Sequence, residues 1–326
     1  MSSFDINKIF SVSASSFDEV SKAVFQYQYQ YNPVYKQWVD LVSSQARMEK
    51  IPYSMPMLPI SFFKTHEIYT GGAKVNKVFE SSGTTDVITS RHCIADLQLY
   101  ERSFVEGFER VYGSIKGWCI LALLPAYLEK ENSSLVYMAD CLIRRTAHSR
   151  SNFYLYNYSE LAAALSVLED QGQKTLLLGV SFALLDFVNE FPQQLKHTIV
   201  METGGMKGRG REMTRAELHH TLGVGLGVNV LHGEYGMTEL LSQAYSLGGG
   251  RYTCPPWMRV MVAKEDDPKE ILSEGVGILQ IIDLANIYSC SFIATQDIGR
   301  VYADGSFEVL GRMDQSDMRG CSLLVV

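Results

Sequence analysis

Residues 175–203 read TLLLGVSFALLDFVNEFPQQLKHTIVMET. The apolar run from Thr175 to Leu178 predicts a buried strand, residues 181–190 predict a helix, and the run from His197 to Met201 predicts a second strand. A strand, a helix and a strand in close succession form the unit from which parallel sheets are built. This stretch therefore predicts an α/β fold.

The alternation continues on both sides of this stretch. It predicts helices and strands in turn at 16–46 (with a break at Asn32-Pro33), 91–112, Trp118–Leu124, 159–170, 214–223 and Val228–His232. In the last third of the chain, short apolar runs alternate with Gly and Asp-Gly turns, a pattern typical of antiparallel hairpins. We expect parallel or mixed sheets flanked by helices, followed by a small antiparallel β subdomain.

The length of 326 residues is sufficient for a large core, and the chain contains no internal repeat or long linker. We predict a division into three regions. Residues 1–70 form a helical N-terminal region, residues 71–250 the α/β core that binds nucleotide and acyl group, and residues 251–326 a β subdomain with a reactive C-terminal tail.

Composition excludes several classes of function. The net charge of −7 and the absence of a basic stripe argue against nucleic-acid binding as the main task. Apolar runs such as Leu121–Leu124 are too short to span a membrane, and the first residues do not resemble a signal peptide, so we expect a cytoplasmic protein. The six cysteines are widely spaced, which argues against a zinc site or a disulfide scaffold.

A loop rich in hydroxyl groups follows the strand-like residues Lys77–Phe79. It comprises Ser81, Ser82, Gly83, Thr84 and Thr85. Hydroxyl and backbone N–H donors around a glycine suit the oxygen array of a polyphosphate. The same residue types also make ordinary turns, so the loop alone is a weak signal.

Two further glycine turns follow predicted strands. Gly204 and Gly205 come directly after an apolar strand, where the missing side chains allow a flat ligand or a phosphate to approach the backbone. An ordinary strand-to-helix turn is the alternative. Neither this segment nor any other matches the dinucleotide or P-loop fingerprints, so a Rossmann cofactor is not supported.

The second turn reads Tyr235-Gly236-Met237-Thr238-Glu239. Its threonine offers a hydroxyl to phosphate, and its glutamate is the hard oxygen ligand that Mg²⁺ prefers. Thr238 is also predicted to cap a helix that starts at Glu239, and both roles are compatible.

Asp297 and Arg312 lie at the two ends of a predicted hairpin whose turn is Asp304-Gly305. The carboxylate is suited to accept hydrogen bonds from two ribose hydroxyls, and the guanidinium to donate to the same sugar or to a phosphate. A surface salt bridge is the alternative interpretation.

A competing motif surrounds Ser181, because Gly179-Val180-Ser181-Phe182-Ala183 is close to the nucleophile elbow of α/β-hydrolases. The last position is alanine instead of glycine, and the last histidine of the chain, His232, leaves little room for the usual order of acid and histidine. We therefore rank a hydrolase below a nucleotide site.

Taken together, these segments resemble the adenylate-forming superfamily, in which acyl-CoA synthetases and luciferases activate carboxylates with ATP. The loop 81–85 is similar to its phosphate loop, Gly204-Gly205 to its adenine-side turn, and residues 235–239 to its Tyr-Gly-x-Thr-Glu motif. The resemblance also implies that Asp297 binds ribose, that Arg312 is the arginine of the hinge motif, and that Glu239 holds Mg²⁺.

A closer resemblance is to the acyl-protein synthetases, the long-chain-fatty-acid–luciferin-component ligase family, and it covers nearly the whole chain. It depends on the loop 81–85 with Ser90-Arg91-His92 and on other segments, namely 25–28, 32–35, 58–64, 202–208 and 234–245. In that family a cysteine near the C-terminus accepts the acyl group as a thioester. Cys321 stands in the matching place, so the resemblance implies acylation of Cys321 and transfer to a partner such as a reductase or another acyltransferase.

The resemblance implies ATP-dependent activation of a carboxylic acid, in that family a fatty acid, with Mg²⁺. Two departures from the superfamily pattern bear on it. Asp86 stands where a glycine usually follows the second threonine. The sequence stops at Val326, just past the hinge motif, so we expect the usual C-terminal domain with its catalytic lysine to be missing. We expect Arg91 or Lys207 to supply the missing positive charge. The alternatives are delivery of the acyl group to CoA or a carrier protein, and a non-catalytic nucleotide-binding subunit.

Overall fold

A computed structural model describes residues 4–43, 55–72, 74–81, 88–125, 132–204, 213–264 and 270–313. The helices in these ranges are α1 (Asn7–Phe10), α2 (Phe17–Tyr31), α3 (Pro33–Val42), α4 (Phe62–Thr65), α5 (Leu97–Tyr112), α6 (Ser134–Thr146), α7 (Tyr158–Asp170), α8 (Ser181–Glu190) and α9 (Arg215–Leu226). None of these helices is long and apolar enough to cross a bilayer.

The strands in the same ranges are β1 (Leu58–Pro59), β2 (Lys77–Glu80), β3 (Arg91–Ile94), β4 (Cys119–Leu123), β5 (Asn152–Tyr154), β6 (Thr175–Val180), β7 (Thr198–Thr203), β8 (His232–Tyr235), β9 (Ala244–Ser246), β10 (Arg251–Thr253), β11 (Met258–Ala263), β12 (Ile271–Leu272), β13 (Gly275–Asp283), β14 (Phe292–Val301) and β15 (Phe307–Arg312).

Contacts divide the chain into two compact units. The parallel unit comprises Val78–Arg91 and Leu97–Tyr252, and the antiparallel unit comprises Met1–Lys77, His92–Asp96 and Thr253–Val326. The N-terminal helices and the C-terminal strands therefore share a unit although they are distant in sequence. The functional division at residues 70 and 250 stays a prediction.

In the parallel unit, β5, β4, β6, β7 and β8 lie side by side as parallel neighbours, and β9 is antiparallel to β8. Every residue of β4 and of β6 is buried, as expected for parallel strands that are covered on both faces. Helix α8 connects β6 to β7, and helix α9 connects β7 to β8. The strand–helix–strand unit predicted over 175–203 is confirmed.

Two boundaries differ from the predictions. Residues 91–94 form strand β3, and the helix begins only at Leu97. His92, Cys93 and Ile94 are buried one after another, which a helix with a single apolar face does not allow. The strand predicted over Val228–His232 begins at His232, because Gly227 adopts a left-handed conformation and the N–H of Val228 donates to the carbonyl oxygen of Gly223, which extends the end of α9.

In the antiparallel unit, β13 lies between β11 and β14, and β15 pairs with β14. The hairpin of β14 and β15 turns at Asp304-Gly305, as predicted, and its register places Asp297 opposite Arg312. The smaller strands β12 and β1 pair with β11 and β14.

Within this unit, buried side-chain amides join the N-terminal helices to the segment between β13 and β14. Asn32 caps α3 by accepting a hydrogen bond from the N–H of Tyr35, and its amide donates to the carbonyl oxygen of Ser289. The amide of Gln28 donates to the carbonyl oxygens of Asn286 (3.0 Å) and Ile287 (2.9 Å), and its oxygen accepts from the N–H of Ser291 (3.0 Å). Since Gln28 is fully buried, these bonds satisfy backbone groups that water does not reach.

We expect Gln28→Ala to lower the free energy of unfolding by about 2–4 kcal/mol, because it leaves several buried backbone groups without a partner. Gln26→Ala and Gln30→Ala are matched controls, since both side chains are exposed on the same helix and should change stability by less than about 0.5 kcal/mol. Urea denaturation measures all three. Equal stability of the three variants would contradict the structural role of Gln28.

Candidate functional site

The candidate site lies at the carboxyl edge of the parallel sheet. Strands β6, β7 and β8 end in adjacent positions, since Val180 is in register with Thr203 and Thr203 with Glu234. The segments that follow these strands are Ser181, Gly204 and the turn from Gly236 to Glu239. Ligands of open α/β sheets bind outside the carboxyl ends of the strands, so this edge is the expected position of a ligand.

Side-chain hydrogen bonds join the three strand ends. The hydroxyl of Ser181 donates to the carbonyl oxygen of Gly204 at 3.1 Å, and the hydroxyl of Thr203 donates to the Glu234 carboxylate. Gly204 adopts a left-handed backbone conformation with φ of 59°. Hydrogen bonds therefore connect the end of β7 to the start of α8 on one side and to β8 on the other.

The Glu202 carboxylate contacts three polar side chains beside the turn after β7. Its carboxylate accepts a hydrogen bond from the Ser181 hydroxyl at 3.3 Å, contacts Nε2 of His219 at 3.0 Å, and lies 3.6 Å from Nε of Arg215. Among the residues that the structure describes, no histidine accepts a hydrogen bond from Ser181. A nucleophilic serine needs such a base, so the geometry does not favour the hydrolase alternative.

Burial strongly perturbs the carboxyl group of Glu234. Its side chain is buried, and burial raises its pKa to about 7, although the hydrogen bond from Thr203 acts in the opposite direction. The cross-strand neighbour of Glu234 is Tyr245, whose pKa is raised well above its usual value by burial and then by the Glu234 charge. This carboxyl group thus changes charge near neutral pH.

The turn after β8 carries the motif residues Thr238 and Glu239. The N–H of Leu240 donates to the carbonyl oxygen of Met237 at 3.1 Å, so these residues form a turn and not the predicted start of a helix. Thr238 therefore does not cap a helix at Glu239. A Cβ at position 236 would lie 2.5 Å from Oε1 of Glu234, so a larger residue than Gly236 would displace the Glu234 side chain.

The base of the hydroxyl-rich loop is also in the parallel unit. The N–H of Ser81 donates to the carbonyl oxygen of Ser90, and the N–H of Ser90 donates to the hydroxyl of Ser81. Next to Ser81, the ring of Phe79 packs edge-on against that of Tyr100, with 5.5 Å between the ring centroids. Burial raises the pKa of Tyr100, and the Glu234 charge raises it further. Tyr100 on α5 therefore lies close to both Phe79, beside the loop base, and Glu234, near the end of β8.

The other predicted site residues are distributed as follows. Arg91 is exposed at the start of β3. Asp297 and Arg312 are neighbours on β14 and β15 in the antiparallel unit, with 3.9 Å between Oδ1 and Nε. Several predicted residues fall outside the described ranges, namely Ser82, Gly83, Thr84, Thr85, Asp86, Gly205, Lys207 and Cys321.

A magnesium ion that arrives with nucleotide needs one or two protein carboxylates, and phosphate oxygens supply the remaining ligands. Glu239 fits this requirement in kind, because it is a carboxylate on the turn after β8 and is only 5% exposed. No cluster of three or more His, Cys, Asp or Glu side chains that could hold a metal without nucleotide occurs in the described ranges.

Two members of the site are absent from the sequence-based prediction. Thr203 and Glu234 directly precede the predicted residues Gly204 and Tyr235, but the sequence predicts no site role for either of them. The register of two parallel strands brings them together. A threonine and a glutamate 31 positions apart give no local signal, since their contact depends on the long connection through α9.

Comparison with solved structures identifies the fold. The structure of ATP-bound MatB from Rhodopseudomonas palustris matches 74% of this chain and 49% of its own, with 15% sequence identity and a TM-score of 0.55. The chain has the fold of the N-terminal core of adenylate-forming enzymes. A long-chain-fatty-acid–CoA ligase (FadD1) from Archaeoglobus fulgidus matches 77% of this chain and 54% of its own, with 14% identity and a TM-score of 0.51.

The chain thus spans about half the length of these two enzymes. No protein-family model matches it, and no curated relative matches it either. The adenylate-forming fold expected from the sequence motifs is confirmed at the level of architecture.

Proposed function

We propose that this protein activates a carboxylic acid with ATP to an acyl-adenylate. The observation that carries the proposal is the edge of the parallel sheet, where Gly204 and the Tyr235–Glu239 motif follow neighbouring strands that Ser181, Thr203 and Glu234 join. Motif residues that are distant in sequence are close in space on a fold shared with adenylate-forming enzymes. A chance match of the motifs does not require this proximity.

In the first half-reaction, a carboxylate oxygen of the acid attacks the α-phosphorus of ATP. The bond between the α-phosphorus and its bridging oxygen breaks, and pyrophosphate leaves with that electron pair. The residues Ser81, Ser82, Gly83, Thr84 and Thr85 are proposed to hold the phosphates, and Thr238 to donate its hydroxyl to them. Bound through Glu239, Mg²⁺ would neutralise phosphate charge.

The remaining nucleotide contacts are proposed by resemblance. Gly204 and Gly205 lie against the adenine, together with Tyr235, Gly236 and Met237. Asp297 accepts hydrogen bonds from the ribose hydroxyls, and Arg312 donates to the sugar or a phosphate. The pairing of Asp297 with Arg312 on adjacent strands supports a shared partner for these two side chains.

Arg91 or Lys207 is proposed to supply the positive charge that stabilises the negative charge developing on the phosphates. Arg91→Ala or Lys207→Ala should slow acid-dependent exchange of pyrophosphate into ATP by about tenfold or more. The exposed Arg300, on β14, is a control position for the arginine substitution. Full exchange activity in both alanine variants would reject this role.

In the second half-reaction, the thiolate of Cys321 is proposed to attack the acyl carbonyl carbon, and the bond to the phosphate oxygen of AMP breaks. The thiol must lose its proton first, and the neighbouring Arg319 would favour the thiolate. The acyl group then passes to a partner protein, for which a reductase or another acyltransferase is the expected class.

Labelled fatty acids of several chain lengths, with ATP and Mg²⁺, test the scheme in the wild type, Cys321→Ser and Ser181→Ala. We expect label on the wild type and on Ser181→Ala, and its loss in Cys321→Ser. Adenylate formation without labelled protein would instead indicate delivery to an external thiol on CoA or a carrier. Absence of ATP turnover with every acid would contradict the proposed activity and favour a non-catalytic nucleotide-binding subunit.

A further inference from the structure

The buried carboxyl group of Glu234 is not explained by the proposed chemistry. It precedes the motif residues 235–239, faces the interior of the parallel unit and is only 7% exposed. Burial of a charged carboxyl group without a cation opposes folding, so this residue is kept at a cost in stability. The causes of its perturbation are burial and the hydrogen bond from Thr203, and no cation of the described chain compensates it.

Contacts connect Glu234 to both turns of the candidate site. On one side its carboxylate accepts from the hydroxyl of Thr203, the residue directly before Gly204. On the other side its Oε1 occupies the space into which a Cβ of residue 236 would project, 2.5 Å from that position. The carboxyl group thus lies against both the end of β7 and Gly236, the first residue of the turn that follows β8.

We propose that Glu234 is a positioning residue, which fixes the turn 236–239 relative to Gly204 through its hydrogen bond from Thr203. The inference rests on the proposed ATP site, since it assigns a role within that site. Thr203 and Glu234 do not touch substrate in this account. They hold the backbone from which Tyr235, Thr238 and Glu239 reach the nucleotide.

The surroundings of Glu234 support this assignment. Its register partners are Thr203 on β7 and Tyr245 on β9, so the three side chains form a row across neighbouring strands. The hydroxyl of Tyr245 is buried and has no hydrogen-bond partner among the described residues. Among the described residues, the Glu234 charge raises the pKa of four buried phenols, namely Tyr100 and Tyr112 on α5, Tyr245 on β9 and Tyr252 on β10.

The Thr203 hydroxyl is the group to remove, because Thr203→Val keeps the shape of the side chain and Thr203→Ser restores the donor. Thr198→Val is a matched control. It removes the same type of hydrogen bond, a threonine hydroxyl that donates to Glu169 at 2.6 Å, from the opposite end of the same strand. Both valine variants should lose stability, so a loss of stability alone does not distinguish them.

Two measurements distinguish them: the dissociation constant of ATP with Mg²⁺ by calorimetry, and hydrogen exchange of the amides of residues 236–240. We expect Thr203→Val to raise the dissociation constant of ATP about tenfold and to accelerate hydrogen exchange of residues 236–240 about tenfold. Effects of this size are expected when one positioning hydrogen bond is lost. Thr203→Ser should restore both values, and Thr198→Val should leave both at the wild-type level.

The outcomes separate this inference from the proposed function. Suppose that the wild type binds ATP, and that Thr203→Val and Thr198→Val have the same affinity for ATP and the same hydrogen-exchange rates. The positioning role is then wrong, and the proposed ATP site is unaffected. If the wild type binds no ATP but Thr203→Val alone accelerates exchange of 236–240, the proposed function fails while the structural link between the turns holds. If the wild type binds no ATP and hydrogen exchange of residues 236–240 is equal in all variants, both the positioning role and the proposed function are wrong.

Discussion

Replacing Glu239 by glutamine should lower the rate of acid-dependent exchange of labelled pyrophosphate into ATP by about 10²-fold or more. The proposed role of this carboxylate is to hold Mg²⁺ against the phosphates, and an amide is a much weaker ligand for that ion. Loss of charge stabilisation at a phosphoryl centre commonly costs this much. The assay should be run over a range of Mg²⁺ concentrations, because a weakened metal site is expected to recover part of the rate at high Mg²⁺.

Glu190→Gln is the matched control for this substitution, since Glu190 is exposed at the end of α8. It should retain the wild-type exchange rate. Thermal unfolding of both variants shows whether Glu239→Gln is folded under the assay conditions. A folded Glu239→Gln variant with full exchange activity at every Mg²⁺ concentration would remove Glu239 from the proposed metal site.

Glu234→Gln should make the protein more stable than the wild type at pH 8, by about 3 kcal/mol. This figure follows from the rise of the Glu234 pKa from 4.5 to about 7, at about 1.4 kcal/mol for each pH unit. Glutamine keeps an oxygen that accepts the hydrogen bond from Thr203, and it does not ionise. It therefore avoids the cost of charging a buried group.

The sign of the effect depends on pH. Because the pKa of Glu234 is higher in the folded state than in the unfolded state, its protonated form favours folding. That contribution is fully present below pH 4.5, falls as the pH rises, and is lost above about pH 7. The difference in unfolding free energy between Glu234→Gln and the wild type should therefore grow from pH 4.5 to pH 7 and then level off.

Urea denaturation at several pH values measures this difference, and Glu190→Gln again serves as the control. A pH-independent difference between Glu234→Gln and the wild type would show that Glu234 does not ionise in this range. A variant that is less stable than the wild type at pH 8 would show that the charged carboxylate has a partner which stabilises it.

The sequence predicts well those strands and helices of the parallel unit that have long apolar runs or a clear helical period. Strands β4 and β6 are apolar runs that predict buried strands, and the helices after β6 and β7 are predicted at 181–190 and 214–223, close to the observed α8 and α9. The hairpin at Asp304-Gly305 was equally accessible, because an Asp-Gly pair between apolar runs specifies its turn. In these places local propensity and tertiary packing favour the same structure.

Other elements carry no such signal. Strands β5, β9 and β10 have three residues each, too few for a hydrophobic period, and helix α6 was not predicted. The segment 91–94 was assigned to a helix, although its burial shows it to be a strand. Burial of this kind depends on distant residues: Nε2 of His92, for example, lies 3.0 Å from Oδ1 of Asn286.

The candidate site shows the same division. Its turn residues Gly204, Tyr235, Thr238 and Glu239 were found from motifs that are contiguous in sequence. The residues that hold the turns together were not found, because Thr203 and Glu234 meet only through the register of β7 and β8. The perturbed pKa of Glu234 likewise arises from burial of its carboxyl group, a property that exists only in the folded chain.

The central claim is that this protein joins a carboxylic acid to AMP. Exchange of labelled pyrophosphate into ATP, measured with the wild type, Mg²⁺ and a series of fatty acids, tests it most directly, because exchange requires a reversible adenylation step and no acyl acceptor. The account predicts exchange that depends on the added acid and on Mg²⁺. Exchange that is absent with every acid, while the protein is folded, would contradict it.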